Sequence, residues 1–279
     1  MLEPEAIGLW TEIKLQIIHE YAAAYTKILK EREWCRGYGY IDAFAGPGEF
    51  VAKQDRDRII SGSPINALNI EHKFSEYHFI DINQLKINHL QDLTAGRPEA
   101  KTVHLHLGDA NEILKRAILP NFQYESFKRA LCILDPYGLD IEWTTIECIG
   151  KTKTMDVFLN FPLMDINRNA ALKTLETSNP EEGMRLTKIW GDDSWKYLAY
   201  VEQGDLFSSS VLIKKDEGNE ILKRGFRERL KQVAGFSFVP EPILMKNKKG
   251  GHLYFLFFAS HQPVAQNIAE AILRKWGAK

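Results

Sequence analysis

The sequence predicts an α/β protein: a Rossmann-like, mostly parallel, doubly wound sheet that ends in a C-terminal antiparallel hairpin. Three observations predict it. Short apolar runs recur at regular intervals up to residue 160. The stretches between them have room for helices, and several carry helical spacing. The last two runs have no helix between them. Strand–helix alternation puts parallel strands beneath helices on both faces, and right-handed crossovers then wind the sheet in two directions.

The elements follow in order. Leu9, Ile13, Ile17, Tyr21, Tyr25 and Ile28 recur at steps of four, four, four, four and three, one face of a helix. That helix, from about Glu5 to Glu33 and within residues 1–38, is expected to cover the sheet. Buried strands are expected at Gly39–Phe44, Glu76–Ile80, Thr102–Leu107, Arg129–Leu134 and Met155–Leu159. Leu85, Leu90 and Leu93 mark a helix over Asn83–Leu93; Ile113, Leu114, Ala117 and Ile118 mark one over Ala110–Leu119. Phe238–Met245 and His252–Ala259 read as a hairpin across residues 246–251, where Gly250 and Gly251 can supply positive φ. Pro240 and Pro242 put the first of these strands partly at an edge. Val264–Trp276 is expected to be a final helix. An α/β sheet closed by an antiparallel hairpin is the layout of class I S-adenosylmethionine-dependent methyltransferases. Residues 163–236, mostly polar and helical, then read as an insertion capping the substrate side or as an extra packing layer, within a single methyltransferase-like domain over 1–279.

The 279 residues are 44% hydrophobic and 26% charged, which excludes a disordered, collagen-like or coiled-coil chain. With 36 basic and 37 acidic residues, no global field draws the chain to nucleic acid or membrane. Cys35, Cys132 and Cys148 show no CxxC spacing, so neither a disulfide frame nor a structural zinc site is expected. The N-terminus lacks a signal-peptide pattern and no run of 18 apolar residues exists, so the expectation is a cytoplasmic protein without a membrane span.

The strongest chemical signal is YIDAFAGPG, Tyr40–Gly48. Asp42 sits near the end of the first strand, Phe44 is its last residue, and Gly46 and Gly48 make the turn after it and leave the backbone open to a ligand. In a doubly wound sheet the ligand crevice lies at the carboxyl ends of the strands. Val51 stands where GxGxxG needs its third glycine, and no helix follows at once, which disfavours a nicotinamide dinucleotide. Ser63 as cap and Pro64 at the first helical position look like the helix start. GlyLysThr at 150–152 is no P-loop, because Thr145 stands where the first glycine must be. Asp81 ends the second strand and can accept both ribose hydroxyls. Asp109, with Ala110 after it, follows the third and can accept from an adenine amino group. Together these acids describe a pocket for S-adenosylmethionine; singly, each is an ordinary strand-end or cap residue.

The fourth strand ends in LeuAspProTyrGlyLeu, 134–139. Methyl transfer is an in-line displacement, so positioning supplies most of the acceleration. Asp135 and the Pro136 carbonyl can orient an amine, and Tyr137 can stack on a planar substrate. The element resembles the (Asp/Asn/Ser)-Pro-Pro-(Tyr/Phe) motif of amino-methyltransferases acting on bases, without its second proline. Asn160–Pro162 can line the acceptor side. No cysteine follows Pro or Thr, so cytosine C5 chemistry lacks its nucleophile pattern. His104 and His106 share one sheet face and read as a structural pair, with no metal expected. Lys214–Lys249 carries ten basic residues against five acids, a net +5 that reads as a solvated face or a phosphate contact.

YIDAFAGPG, GlySerPro at 62–64 followed by Ala67–Leu68, FIDIN, GDA, LDPYGLDIEW, NFP at 160–162 and the late FFASH together resemble the three-Cys-motif partner protein family, from about residue 10 to 270. That family is similar to class I methyltransferases. The resemblance implies a cofactor site at Asp42, Gly46, Gly48, Asp81 and Asp109, an acceptor-side role for Asp135, Pro136 and Tyr137, and a partner bearing a three-cysteine motif. The expected function is N-directed methyl transfer from S-adenosylmethionine, with a nucleic acid base as one acceptor class and a protein or small molecule as others. The alternative is a non-catalytic binding module. A phosphoryl-transfer enzyme would need acids clustered on a metal, which the spacing does not offer.

Overall fold

Seven strands line up in one sheet; its central strands bury both faces, whereas the strand at Val103–Leu107, expected to be buried, lies at the sheet edge and has no buried residue. The structure is a computed structural model that describes residues 5–170, 180–203, 211–215, 217–247 and 249–277. In chain order the elements begin with β1 (Ala6–Ile7), α1 (Leu9–Lys30), β2 (Gly37–Asp42), β3 (Glu49–Ala52), β4 (Asp55–Ser61), α2 (Ser63–Leu68), β5 (Glu76–Asp81) and α3 (Gln84–Ala95). β6 (Val103–Leu107), α4 (Ala110–Ile113), β7 (Lys128–Leu134), α5 (Trp143–Thr152) and β8 (Met155–Phe161) continue the alternation. Then come α6 (Leu163–Asp165), α7 (Pro180–Trp190), α8 (Ser194–Ala199), β9 (Tyr200–Gln203), β10 (Val211–Lys214) and α9 (Gly218–Gln232). β11 (Ile243–Lys246), β12 (His252–Ala259) and α10 (Pro263–Gly277) finish the described chain.

The large sheet has the order β11-β12-β8-β7-β2-β5-β6. β2 pairs in parallel with β5 and β7, and β7 with β8. β12 runs antiparallel to both β8 and β11. This is the doubly wound α/β layout with an antiparallel hairpin at one end. The chain turns from one half of the sheet to the other between β2 and β7, where a crevice opens beyond the strand ends.

Adjacent residues serve opposite faces. Ile41, Ile80, Cys132, Val157 and Phe257 join one core with Trp143, Trp190 and Phe226. Tyr40, Phe79, Leu131, Phe158 and Phe258 join the other with Ile17, Tyr21 and Tyr25 of α1 and Ala269 of α10. The period of two in the strands and of four in α1 therefore meet on one surface.

Several boundaries move. α1 starts at Leu9, not near Glu5, because Gly8 is extended and Ala6–Ile7 pairs in parallel with β3. Residues 49–61, a gap in the sequence reading, are the β3–β4 hairpin. Gly62, not Ser63, caps α2; the Ser63 hydroxyl goes to Asp42 instead. From Ala110 only four residues are α-helical before a π turn at Leu114–Ile118 and a 3₁₀ turn at Leu119–Phe122, which accommodates Pro120 without its missing N–H. Pro240 and Pro242 cut the first hairpin strand to Ile243–Lys246, leaving Phe238 a single bridge to Ser260. Residues 163–236 contain α6 to α9 and a β9–β10 hairpin; positions 171–179, 204–210 and 216 of that stretch lie outside the described residues. No described helix is long and apolar enough to cross a membrane.

Candidate cofactor and acceptor site

The turn after β2 is held by its own strand end. Asp42 is 0% exposed; Oδ2 accepts from the Ser63 hydroxyl and Oδ1 from the Phe44 amide at 3.2 Å. Burial pushes its pKa up to about 7, against those two hydrogen bonds that pull it down. Gly46 has φ +65° and Gly48 φ +85°, conformations that L side chains rarely adopt. A Cβ on Gly48 would lie 2.7 Å from Leu90 Cδ2, so this glycine lets α3 approach the turn. Asp42 and Gly48 thus shape the site from beneath.

Asp81 crosses from β5 to the same turn. Its Oδ2 accepts from the Gly46 amide at 3.0 Å and its Oδ1 from the Asn83 amide at 2.8 Å. A carboxylate offers about four lone-pair positions, so each oxygen keeps capacity for a further donor. Ile82 beside it is 76% exposed, an apolar surface next to a charge. Asp109 caps α4 through the Glu112 amide at 3.0 Å and is exposed.

A cleft of about 740 Å³ opens at this end of the sheet, lined by Phe44, Asp81, Asp109, Ala110 and Tyr137 among others. That volume is within the range of cofactor pockets. Asp42, Gly46, Gly48, Asp135 and Pro136 are not among its lining. The lining also includes residues that sequence reasoning missed: Glu5, Ile82, Lys86, Arg185 and Lys188. Arg185 and Lys188 come from α7, three apart, so helical spacing was the available signal. Arg185 binds Asp140 at 2.8 Å and Lys188 binds Glu142 at 2.8 Å. Asn111 fixes the loop carrying those acids, donating to Asp140 O at 3.0 Å and accepting from the Glu142 amide at 2.9 Å.

The element after β7 is enclosed by α1. Lys14, buried in α1, forms an ion pair with Asp135 Oδ2, and Asn160 Nδ2 of β8 donates to Oδ1 at 2.7 Å. Burial opposes charge on Lys14, but Asp135, together with Tyr254 and Asp42, outweighs it and the Lys14 pKa is raised. The Asp135 side chain is still 31% exposed. Tyr137 is exposed; its hydroxyl donates to Glu5 Oε2 at 2.8 Å and its ring lies 5.1 Å from Lys86 Nζ. Glu5 also binds Lys86 at 2.8 Å, so the segment before α1 ties α3 to the DPYG turn across the cleft mouth.

The histidines form a stack. The His78 ring lies 4.9 Å from His104 and 5.3 Å from His106, with interplanar angles of 20° and 21°. Parallel rings do not converge on a point, and among the described residues no three His, Cys, Asp or Glu could hold one ion. The basic segment is largely paired: Lys223 and Arg227 bind Glu241 within it, and Arg229 binds Asp192 outside it. Lys248 lies outside the described residues.

No family model matches the sequence, and no curated protein matches it. Solved structures resemble it in chain path. A protein from Legionella pneumophila is 12% identical, covering 94% of this chain and 91% of its own, at a TM-score of 0.48. The CcbJ methyltransferase from Streptomyces caelestis is 10% identical over 88% and 95% of the two chains, at 0.41. An S-adenosylmethionine-dependent methyltransferase from Leishmania major is 9% identical over 88% and 72%, at 0.39. At these identities and scores the likenesses carry no argument about activity; the fold assignment rests on strand order and register. The finer resemblance, to the three-Cys-motif partner family, rests on the motifs.

Proposed function

We propose that the protein is an S-adenosylmethionine-dependent methyltransferase directed to a nitrogen, with a planar amino group such as that of a nucleic acid base as the acceptor class. One observation carries the reading: Asp81 and Asp109, at the ends of successive strands, line one cleft beside the exposed apolar Ile82 and the turn after β2. That donor set suits an adenosine, with Asp81 accepting from ribose hydroxyls and Asp109 from the adenine amino group. When bound, S-adenosylmethionine supplies a methyl group on a positive sulfur. Asp42 and Gly48 hold the turn in shape, and Gly46 presents its amide to Asp81. Arg185 and Lys188 of the insertion line this cleft, which supports the reading of the insertion as a cap.

The acceptor class follows from charge. Asp135, held on Oδ1 by Asn160, already holds one amino group on Oδ2, that of Lys14, whose pKa is raised. An aliphatic amine beside this carboxylate has no free lone pair. A base amino group is neutral without help, so it gains orientation from Asp135 and the Pro136 carbonyl and stays nucleophilic. Transfer of labelled methyl from S-adenosylmethionine to RNA or DNA, lost in Asp135→Ala, is the expected result. Label found only in protein or in small molecules refutes the base assignment.

The Lys14–Asp135 pair favours a second reading, a binding module that keeps the cofactor cleft and serves a partner with a three-cysteine motif. S-adenosylhomocysteine binding without transfer to any of those acceptors, together with co-purification of such a partner, selects it.

A further inference from the structure

A second cavity, of about 270 Å³, lies at the opposite end of the sheet, between the C-terminal half of α1 and the start of α10. Arg129 at the start of β7 and Asp156 near the start of β8 line it, whereas the cofactor cleft opens beyond the far end of β7. A seven-residue strand separates the two by roughly 20 Å.

Its chemistry is specific. Arg129 stacks between Trp34, 4.5 Å from its guanidinium carbon, and Tyr124, at 5.4 Å. Its Nη1 donates to the Lys128 carbonyl at 2.7 Å. Neither Arg129, Arg32 nor Lys153, all on the lining, forms an ion pair among the described residues. α10, 15 residues long, begins here with no acid in its first turn. Its first amides therefore add positive potential. The one acid on the lining, Asp156, is already engaged on both oxygens, by Tyr21 at 2.6 Å and by Ser260. The Tyr25 hydroxyl is buried on this lining without a hydrogen-bond partner among the described residues, and the residue is 8% exposed. Buried hydroxyls are normally satisfied, and an orphan calls for an explanation. Ile28, Leu29 and Ile268 supply an apolar wall.

We propose that this cavity is a binding site for a small organic anion: one carboxylate on a flat apolar body. The anion meets Arg129 and the start of α10, the Tyr25 hydroxyl donates to the ligand, and the apolar body lies on Ile28, Leu29 and Ile268. The volume admits a molecule smaller than a nucleotide. The inference is independent of the cofactor reading, because no residue lines both cavities.

Calorimetric titration of the whole protein with indole-3-propionate, and with its uncharged amide, tests it. Saturable binding of the acid is expected, at least tenfold tighter than the amide. Arg129→Gln should weaken the acid at least tenfold, and Tyr25→Phe a few-fold. Should Arg129→Gln not fold, Arg32→Gln, at an exposed position, should still weaken the acid measurably. S-adenosylhomocysteine affinity should be the same in these variants as in the wild type. Absence of saturable acid binding, equal affinity for acid and amide, or full affinity in the arginine variants overturns the proposal.

Discussion

Asp42 illustrates how one side chain can serve a site without lining it. Its pKa is raised to about 7 in the folded chain from an ordinary 3.8, because burial outweighs its hydrogen bonds. The folded state therefore keeps a proton that the unfolded state gives up. The resulting stability is full below pH 3.8 and is lost as pH rises through about 7. Denaturant midpoints should show Asp42→Asn losing this decline between pH 4 and 7 relative to wild type. Asp81 and Asp109 act differently, on the lining itself. Asp109→Ala should weaken S-adenosylhomocysteine about tenfold by calorimetry, the worth of one hydrogen bond to a charged group. Asp81→Ala should weaken it more, since Gly46 and Asn83 also lose their acceptor. The acids at 42, 81 and 109 were legible because each sits where an apolar run ends. The division of labour among them was not, because accessibility depends on which way each carboxylate turns after its strand. Lys14 was invisible for a related reason: on α1 it is one more polar residue between apolar steps, and only the tertiary approach to Asp135 gives it a role.

At the level of elements, the turn between β2 and β3 carries the tightest constraint. Gly48→Ala combines a left-handed backbone with a 2.7 Å approach to Leu90. It should cost about 2–4 kcal/mol in urea unfolding. The β5–β6 pair carries a pH sensitivity of opposite sign. Burial and the neighbouring His78 lower His106 from 6.5 to about 4. Hydrogen bonding by His78, then Lys128, lowers Glu76 from 4.5 to about 2. Both contributions are present at neutral pH. The histidine's is lost as pH falls from 6.5 to 4 and the glutamate's from 4.5 to 2. His106→Gln should flatten the upper part of that acid limb. The parallel strands were readable from short apolar runs and α1 from a period of four. The β3–β4 hairpin was not: DRDR inside it alternates charge with charge, so no apolar stripe announces a strand. Its pairing comes from β1 and from the close contact of Gly62 with the Gly48 carbonyl.

Across the whole molecule, a ligand that binds only the folded state adds about 2.7 kcal/mol at a hundredfold excess over its dissociation constant. For a chain of this size that should raise the melting temperature by roughly 5 °C or more. S-adenosylhomocysteine should do so and adenosine less, read by scanning calorimetry; no shift with either removes the cofactor reading. The strand order has a separate bearing on biosynthesis. β12 is made after β11 yet sits between it and β8, and α10 then packs against α1, where Lys275 meets Glu20 at 2.8 Å. A nascent chain that has not yet released residue 259 has no partner for the outer side of β8, a strand buried along all seven residues in the finished sheet. On the ribosome this greasy rim stands open until β12 has emerged, a window in which an exposed strand edge is prone to aggregation.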